Sequence, residues 1–516
     1  RNSMASKWLQ SGNFNFTDQL SGNNLADFML GRVSAFTQGA GEFKDMTGTK
    51  FSLYVQDNWR ATPRLTLNLG MRWDPARPFL EEKGRVACFL PGAKSARYPN
   101  APAGLIYGGP NSDPGCPSRG YERNLANVGP RTGFAYRLTK DGKTSLRGGA
   151  GIYYTPFLSA LVYMHVDPPF GPIFDFEDVS FDDPWGSIGT PSPFPAQFGA
   201  NIPGPDAGFT TPVSLYYMQR DLRIPQIIGW NLTLERQLIG NWVVRMSYVG
   251  NKGTYLSGSD DYNPAQEMNP AIYIPGQSTR GNTQQRRLYR DFSGVSAIVS
   301  GHNSNYHSGQ LTVEKRFSHG FSLLASHTWS KAIDDFGWTN PFNRRFDYGI
   351  SRDDIAHFFK LSSIWEIPRV NPGGPAGAIL NGWGATANVL WRGGFPFGVR
   401  SGVDNSFSGV GRNRADFVGA NINDADLGSG RSHAETISRF FDTSLFRQNA
   451  PGTFGTSGKN VLRGPRHFNT DLGILKNTRV SERINVQFRA ELFNIFNNVN
   501  FRLPNATLTS PAVGRI

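Results

Sequence analysis

Residues 51–74 read FSLYVQDNWRATPRLTLNLGMRWD, and the second half of this stretch decides the fold. Leu65, Leu67, Leu69, Met71 and Trp73 alternate with Thr66, Asn68, Gly70 and Arg72. A period of two sends successive side chains to opposite faces, so the run is a strand with one apolar and one polar face. Ala61-Thr62-Pro63 separates it from a preceding strand over 49–60. The alternation returns at Ile228, Trp230, Leu232 and Leu234, and again at Trp242, Val244, Met246 and Tyr248. It returns once more at Ile484, Val486, Phe488, Ala490 and Leu492. These runs are about ten residues long, above the usual five or six. About ten is the length that crosses a bilayer when the strand is tilted.

The connections carry more information than the strands. Lys140-Asp141-Gly142, the stretch from Leu238 to Asn241, Ser318-His319-Gly320 and Val480-Ser481-Glu482 are all hairpin signals. Between the hairpins lie long segments, near 74–127, 155–225, 252–303, 331–355 and 398–467. Structureless loops of that size are improbable inside a compact soluble domain. Short turns alternating with long loops bring every long loop out at one end, as in outer-membrane barrels. Trp73, Tyr153, Tyr154 and Trp329 stand where strands open into long loops, while Trp59 and Trp242 stand beside short turns. Two aromatic girdles at opposite strand ends fit a band between two membrane–water interfaces.

Composition points the same way. Gly 59 and Pro 34 make about 18% of the 516 residues, aromatics make 13%, and charged residues only 18%. Such aromatic content excludes a disordered chain. No run approaches 18 consecutive apolar residues, which excludes a helical membrane protein. The net charge is +13, with only 13 lysines among 53 basic residues, and no block of five like charges occurs. Nucleic acid is therefore not expected as a partner, whereas anionic headgroups would suit surface arginines. Cys88 and Cys116 share a Pro/Gly-rich stretch between strands, where a loop-closing disulfide is expected and two free thiols are the alternative.

Motifs for chemistry fail on inspection. Arg147-Gly148-Gly149-Ala150-Gly151 runs into Ile152-Tyr153-Tyr154 rather than a helix. Gly455 to Asn460 lacks the Ser or Thr that a phosphate loop needs for magnesium. Asp335-Phe336-Gly337 has no companion kinase motif. His302 and His307 read as residues of a surface loop, since their spacing fits no zinc pattern. Asp182-Asp183, Asp260-Asp261, Asp334-Asp335 and Asp353-Asp354 read as solvated turns without the order of a calcium loop. No enzyme and no cofactor are expected.

Four stretches carry a resemblance. The hairpin at 51–74 resembles the "YxQDxW…LTLNLGLRW" hairpin of TonB-dependent outer-membrane receptors. NVGPRTGFAY at 127–136 and NSNYHSGQLTVEKRFSHGFSLLASHTWSKAID at 303–334 look like later barrel segments of the Oar-like group. DLGILKNTRVSERINVQFRAELFNIFNNVNF at 471–501 is similar to that group's penultimate hairpin.

The resemblance implies an all-β, transmembrane antiparallel barrel, about 22 strands in its class, with a plugged lumen. About thirteen strands are expected, near 32–42, 49–60, 64–73, 128–139, 143–154, 226–237, 242–251, 304–317, 321–331, 356–368, 382–397, 468–479 and 483–494. Residues 1–31 are expected to be an entry segment, and 32–516 the C-terminal part of the barrel without its plug or final strand. The implied partners are outer-membrane lipid, the receptor's own N-terminal plug, TonB acting through that plug, and an extracellular glycan, peptide or siderophore. A passive porin and a barrel-anchored adhesin are the alternatives. By strand parity, Arg72, Arg147, Glu235, Arg245, Arg489 and Glu491 are expected to face the lumen and contact plug or ligand. Trp185, Trp338 or Tyr262 would suit stacking on sugars, with loop self-packing as the alternative use of each.

Overall fold

The computed structural model describes residues 2–6, 10–16, 24–39, 42–157, 168–171, 173–192, 202–265, 273–370, 374–428 and 430–516. Twelve strands follow one another in chain order across a single antiparallel sheet. They are β1 (Leu53–Thr62), β2 (Leu65–Trp73), β3 (Val128–Arg137), β4 (Thr144–Tyr154), β5 (Gln226–Gln237) and β6 (Trp242–Asp261). The series continues with β7 (Phe292–Ser318), β8 (Phe321–Asp334), β9 (His357–Glu366), β10 (Trp383–Arg392), β11 (His467–Arg479) and β12 (Asn485–Leu492). Among the described residues, β1 and β12 each have a strand partner on one side.

Register carries the two-faced pattern from strand to strand. Directly opposed residues share a face, so one row of partners can be followed from β2 to β11. It runs Leu65, Tyr136, Leu146, Leu234, Met246, Leu311, His327, Phe359, Trp391 and Phe468. The neighbouring row, one residue along, runs Thr66, Ala135, Arg147, Thr233, Ser247, Gln310, Thr328, Phe358, Arg392 and His467. One face is almost wholly apolar or aromatic; the other is mostly hydroxyl, amide and charge. The apolar face is left open, with Met246 60% and Trp329 66% exposed. An uncovered apolar surface on this scale marks contact with a partner or a membrane.

The turns at one end are tight. His319 (φ 52°) and Gly320 (φ 75°) both adopt left-handed backbone between β7 and β8. That is the geometry of a two-residue type I′ hairpin, whose twist matches the strands it joins. The connection 367–382, which contains the helix Gly374–Leu380, is the long exception at this end. At the opposite end the connections are large and folded. Tyr98, Leu105, Tyr107, Phe170, Leu215 and Phe292 form a buried core that ties segment 74–127 to later loops and to the top of β7. Phe397, Val399, Phe441, Phe446 and Leu462 form another, joined by Ala506, Leu508 and Val513 from the C-terminal stretch.

Three expectations change. The segment expected as a wall strand near 32–42 is a strand, Arg32–Gly39, but it pairs with Asn13–Asn15 and Ile173–Ser180 in a separate sheet. Its Val33 and Phe36 are buried against Val179 and Trp185, so its apolar residues found a partner outside the wall. The segment 252–303 is strand at both its ends rather than loop throughout. β6 has 20 residues and β7 has 27, and they stay paired up to Asp261 opposite Ser296. Strands of that length run well past the 9–11 residues a bilayer requires. Finally, Tyr153 and Tyr154 are consecutive in β4, and only Tyr154 lies on the apolar face; Tyr153 stands on the polar face beneath the Arg131 guanidinium, 4.6 Å from its ring centroid.

The two faces should respond differently to charge. Met246→Arg is expected to cost roughly 2–4 kcal/mol in a liposome-folding titration, whereas Ser247→Arg should cost well under 1 kcal/mol. Equal midpoints for the two variants would contradict the assignment of faces.

Candidate functional site

The polar face carries a ladder of charges. Glu235 of β5 stands directly opposite Arg245 of β6, whose Nε donates to the Glu235 carboxylate at 2.6 Å. Nη2 of the same arginine donates to Glu314 of β7 at 2.7 Å. Arg147 of β4 approaches Glu235 at 3.8 Å, and Arg316 approaches Glu314 at 3.5 Å. The alternating signs run Arg147, Glu235, Arg245, Glu314, Arg316 across four strands, near the tight-turn end. Thr233 and Ser247 share a hydrogen bond of 2.9 Å on the same face.

The other lumen candidates are not brought to this ladder. Arg72 turns along its own strand, and its Nε donates to Asp74 at 2.8 Å. Arg489 and Glu491 lie two residues apart on β12 at 3.6 Å, both about half exposed. Of the six candidates, Arg147, Glu235 and Arg245 therefore form one unit. Glu314 was missed, although its register opposite β6 placed it within reach.

A second polar cluster sits at the far ends of the long strands. His302 of β7 is buried, with Nε2 3.4 Å from Asp260 of β6 and Nδ1 3.2 Å from Asp335 just after β8. Arg344 reaches the other oxygen of Asp260 at 3.0 Å and donates to the Gly301 carbonyl at 2.7 Å. Phe336 stacks on the imidazole at 4.6 Å. Gly258 makes the arrangement sterically feasible, since a Cβ there would lie 2.1 Å from the His302 ring. Burial disfavours the charged imidazole, but hydrogen bonds to Asp260 and Asp335 outweigh it and push the pKa up to about 9. His302 and the aspartates are thus neither loop residues nor solvated turns, as their sequence context had suggested. Asp334 and Asp354 are likewise buried ion-pair partners, of Lys459 and Arg463.

The loop layer is held by similar devices. Cys88 and Cys116 are joined, with Cα atoms 5.6 Å apart. Glu81 and Arg85 are each 1% exposed, and the carboxylate accepts from Arg85 Nη2 at 2.6 Å and Nε at 2.9 Å. Trp185 is buried among Phe174 and Phe176 and donates to Gln38 at 2.7 Å. Trp338 lies under the Arg344 guanidinium. Both therefore self-pack, while Tyr262 stays 46% exposed. A cavity of about 730 Å³ opens beside the upper ends of β1 and β2, lined by Arg77, Arg119, Arg123, Tyr121 and Glu122 among others. Glu122 is engaged by Arg220 at 2.7 Å, which leaves the lining strongly basic. Among the described residues no group of three or more His, Cys, Asp or Glu is placed to hold a metal ion.

Burial decides what each charge pair is worth. Glu81→Leu strands a buried guanidinium and should destabilise the 74–127 layer by about 3–5 kcal/mol, read as lost hydrogen-exchange protection. Arg245 and its partners are 23–33% exposed, so Arg245→Ala should cost only about 1 kcal/mol of folding stability. For His302 the folded pKa lies above the ordinary 6.5. Its contribution is therefore complete below about pH 6.5 and fades as pH rises through about 9. Protease resistance at 252–303 should fall across that window in the native chain and stay flat in His302→Gln.

No curated protein matches the sequence. Among solved structures, the chain is similar to the pyoverdine outer-membrane receptor FpvA of Pseudomonas aeruginosa, at 9% identity and a TM-score of 0.41, covering 89% of this chain and 39% of that one. It is similar to the ferric-catecholate import receptor Fiu of E. coli K12, at 11% identity and a TM-score of 0.38, covering 93% and 43%. The siderophore receptor PiuA of Acinetobacter baumannii gives 9% identity and a TM-score of 0.38, covering 94% and 41%. The chain thus spans about two fifths of the length of these structures. Residues 1–516 match the family described as outer membrane beta barrel domain. With its two-faced antiparallel wall, the chain belongs to that family, and its place is the bacterial outer membrane.

Proposed function

We propose that the chain is barrel wall and loop layer of a TonB-dependent receptor of the Oar-like group, a non-enzymatic importer of a glycan, peptide or siderophore. The apolar face meets lipid and the polar face lines the lumen. The observation that carries the reading is the charge ladder Arg147–Glu235–Arg245–Glu314–Arg316 on the polar face. It contributes little to stability, since its members are partly hydrated. Its alternating donors and acceptors are suited to grip a polar plug domain through hydrogen bonds and ion pairs. Such contacts hold against thermal motion yet exchange readily for water when the plug is pulled.

The loop layer supports the receptor half of the proposal. Two hydrophobic cores and a disulfide make it a folded platform rather than a set of tethers. The basic cavity at its base falls within the 300–1,000 Å³ typical of small-ligand sites. A ligand that enters there meets three guanidiniums, which favours anionic groups.

The test uses the complete receptor in planar bilayers and in cells. Uptake should require TonB, and the resting protein should pass little ion current. Replacing Arg245 and Glu235 together by Ala should raise the current several-fold by loosening the plug, with folding intact. Steady current through the native receptor, with uptake that persists without TonB, would overturn this reading in favour of a passive porin.

A further inference from the structure

The apolar face is not free of charge, and its charges are placed unevenly. Arg236, Lys315 and Lys476 share this face near the tight-turn ends of β5, β7 and β11. At the opposite end a denser group gathers on four adjacent strands. Lys331 of β8 stands directly opposite His307 of β7, which stands opposite Gly250 of β6, two residues before Lys252. His357 of β9 stands opposite Trp329 of β8. His327, one step along β8, places Nε2 3.4 Å from His357 Nδ1, with the rings parallel and 5.5 Å apart. Tyr248 shares a 2.7 Å hydrogen bond with His307 Nδ1, and Trp391 flanks His357 at 6.1 Å. His307, Lys331 and His357 are exposed. Among the described residues, none of these five basic side chains is ion-paired with an Asp or Glu.

The height of the group is set by strand geometry. From Phe321 at the tight turn to Lys331 the climb is about 25 Å, for a rise of roughly 3.3 Å per residue at a tilt near 40°. That is the height of the apolar band itself. Lys331, with His307 opposite it and Lys252 beyond, therefore emerges at the headgroup level on the loop side, while Trp329, Trp391, Tyr248 and His357 stand at the boundary below and His327, four residues earlier on β8, lies deeper in the band. Long lysine stems can lie along the apolar surface and raise their ammonium groups into the polar layer. An unneutralised cluster at that level calls for an anion fixed at the same level.

We propose that Lys252, His307 and Lys331 form an outward-facing site for the phosphorylated headgroup of an outer-leaflet glycolipid. The inference rests on the apolar face meeting lipid. Two ammonium groups and the His307 imidazole contact phosphate oxygens, as charge-assisted hydrogen bonds require. The indoles pack on the glycolipid's acyl–sugar boundary. A lipid rather than a soluble anion is favoured, because the cluster faces away from the lumen and is continuous with the apolar band.

The test measures lipid retention on the full chain folded into phosphatidylcholine nanodiscs, by native mass spectrometry with bis-phosphorylated lipid A as the probe. Wild type should retain lipid A at least tenfold more tightly than the triple variant Lys252→Gln/His307→Gln/Lys331→Gln. Lipid A stripped of phosphate should bind wild type no better than it binds that variant. Lys252→Arg/Lys331→Arg should keep wild-type retention, which shows that charge rather than folding is read. Equal retention by wild type and the triple variant, or by phosphorylated and stripped lipid A, would overturn the proposal. Inorganic pyrophosphate that binds as tightly as lipid A would also overturn it, in favour of a soluble anion. Failure of the underlying membrane orientation is separately visible, because Met246→Arg would then fold as well as wild type.

Discussion

Every feature of this wall depends on register. A strand alternates its faces with a period of two, so a slip of one residue would turn a whole strand inside out. Twelve strands in sequence compound the constraint, since each inherits its facing from the one before. The row from Leu65 to Phe468 stays apolar or aromatic through nine successive pairings, with His327 its one basic member. Tight turns enforce this at one end, where His319 and Gly320 leave no slack between β7 and β8. The consequence for function is direct. Charges placed on alternate positions of different strands, such as Glu235 and Arg245, come together only because the pairing is fixed.

What could be read from the sequence follows from the same principle. The alternation at 65–73 or 242–248 is local, and so is a turn such as Lys140-Asp141-Gly142; both are legible without a structure. Three of six expected lumen charges meet because they sit on adjacent strands near shared turns. Arg72 and Arg489 do not, since each finds its carboxylate two residues along the chain, Asp74 just past the end of β2 and Glu491 within β12. The partners of His302 were illegible for the opposite reason. Asp260 and Asp335 are distant in sequence, and only the unforeseen extension of β6 and β7 sets them around the imidazole. Arg32–Gly39 shows the limit of pattern itself, because alternation identifies a strand without saying which sheet will take it.

Electrostatics divides the molecule into two regimes. In the loop layer, Glu81 with Arg85 and His302 with its aspartates are withdrawn from water, where an unpaired member is expensive and the pair specifies one geometry. On the wall, the Arg245 network stays partly hydrated, so each contact is cheap to make and cheap to break. The first regime suits a rigid platform that holds a shape for a ligand. The second suits a surface that must release what it grips. Under the proposed function, the first regime would hold a ligand at the mouth and the second would let the lumen face release its plug.

The outer face completes the separation. Between its ends this face is nearly free of ionisable acids and bases, with Asp57 on the edge strand β1 and His327 on β8 the exceptions. Cations collect instead at the two ends, where side chains can reach a polar layer. If those cations served only to mark the membrane boundary, both ends would need about the same number, spread around the wall. The spread is what differs: Lys252 and Lys331 flank His307 on three adjacent strands, whereas Arg236, Lys315 and Lys476 stand on β5, β7 and β11, no two of them adjacent. A fixed phosphate at that height would explain why Lys252, His307 and Lys331 converge there rather than spread.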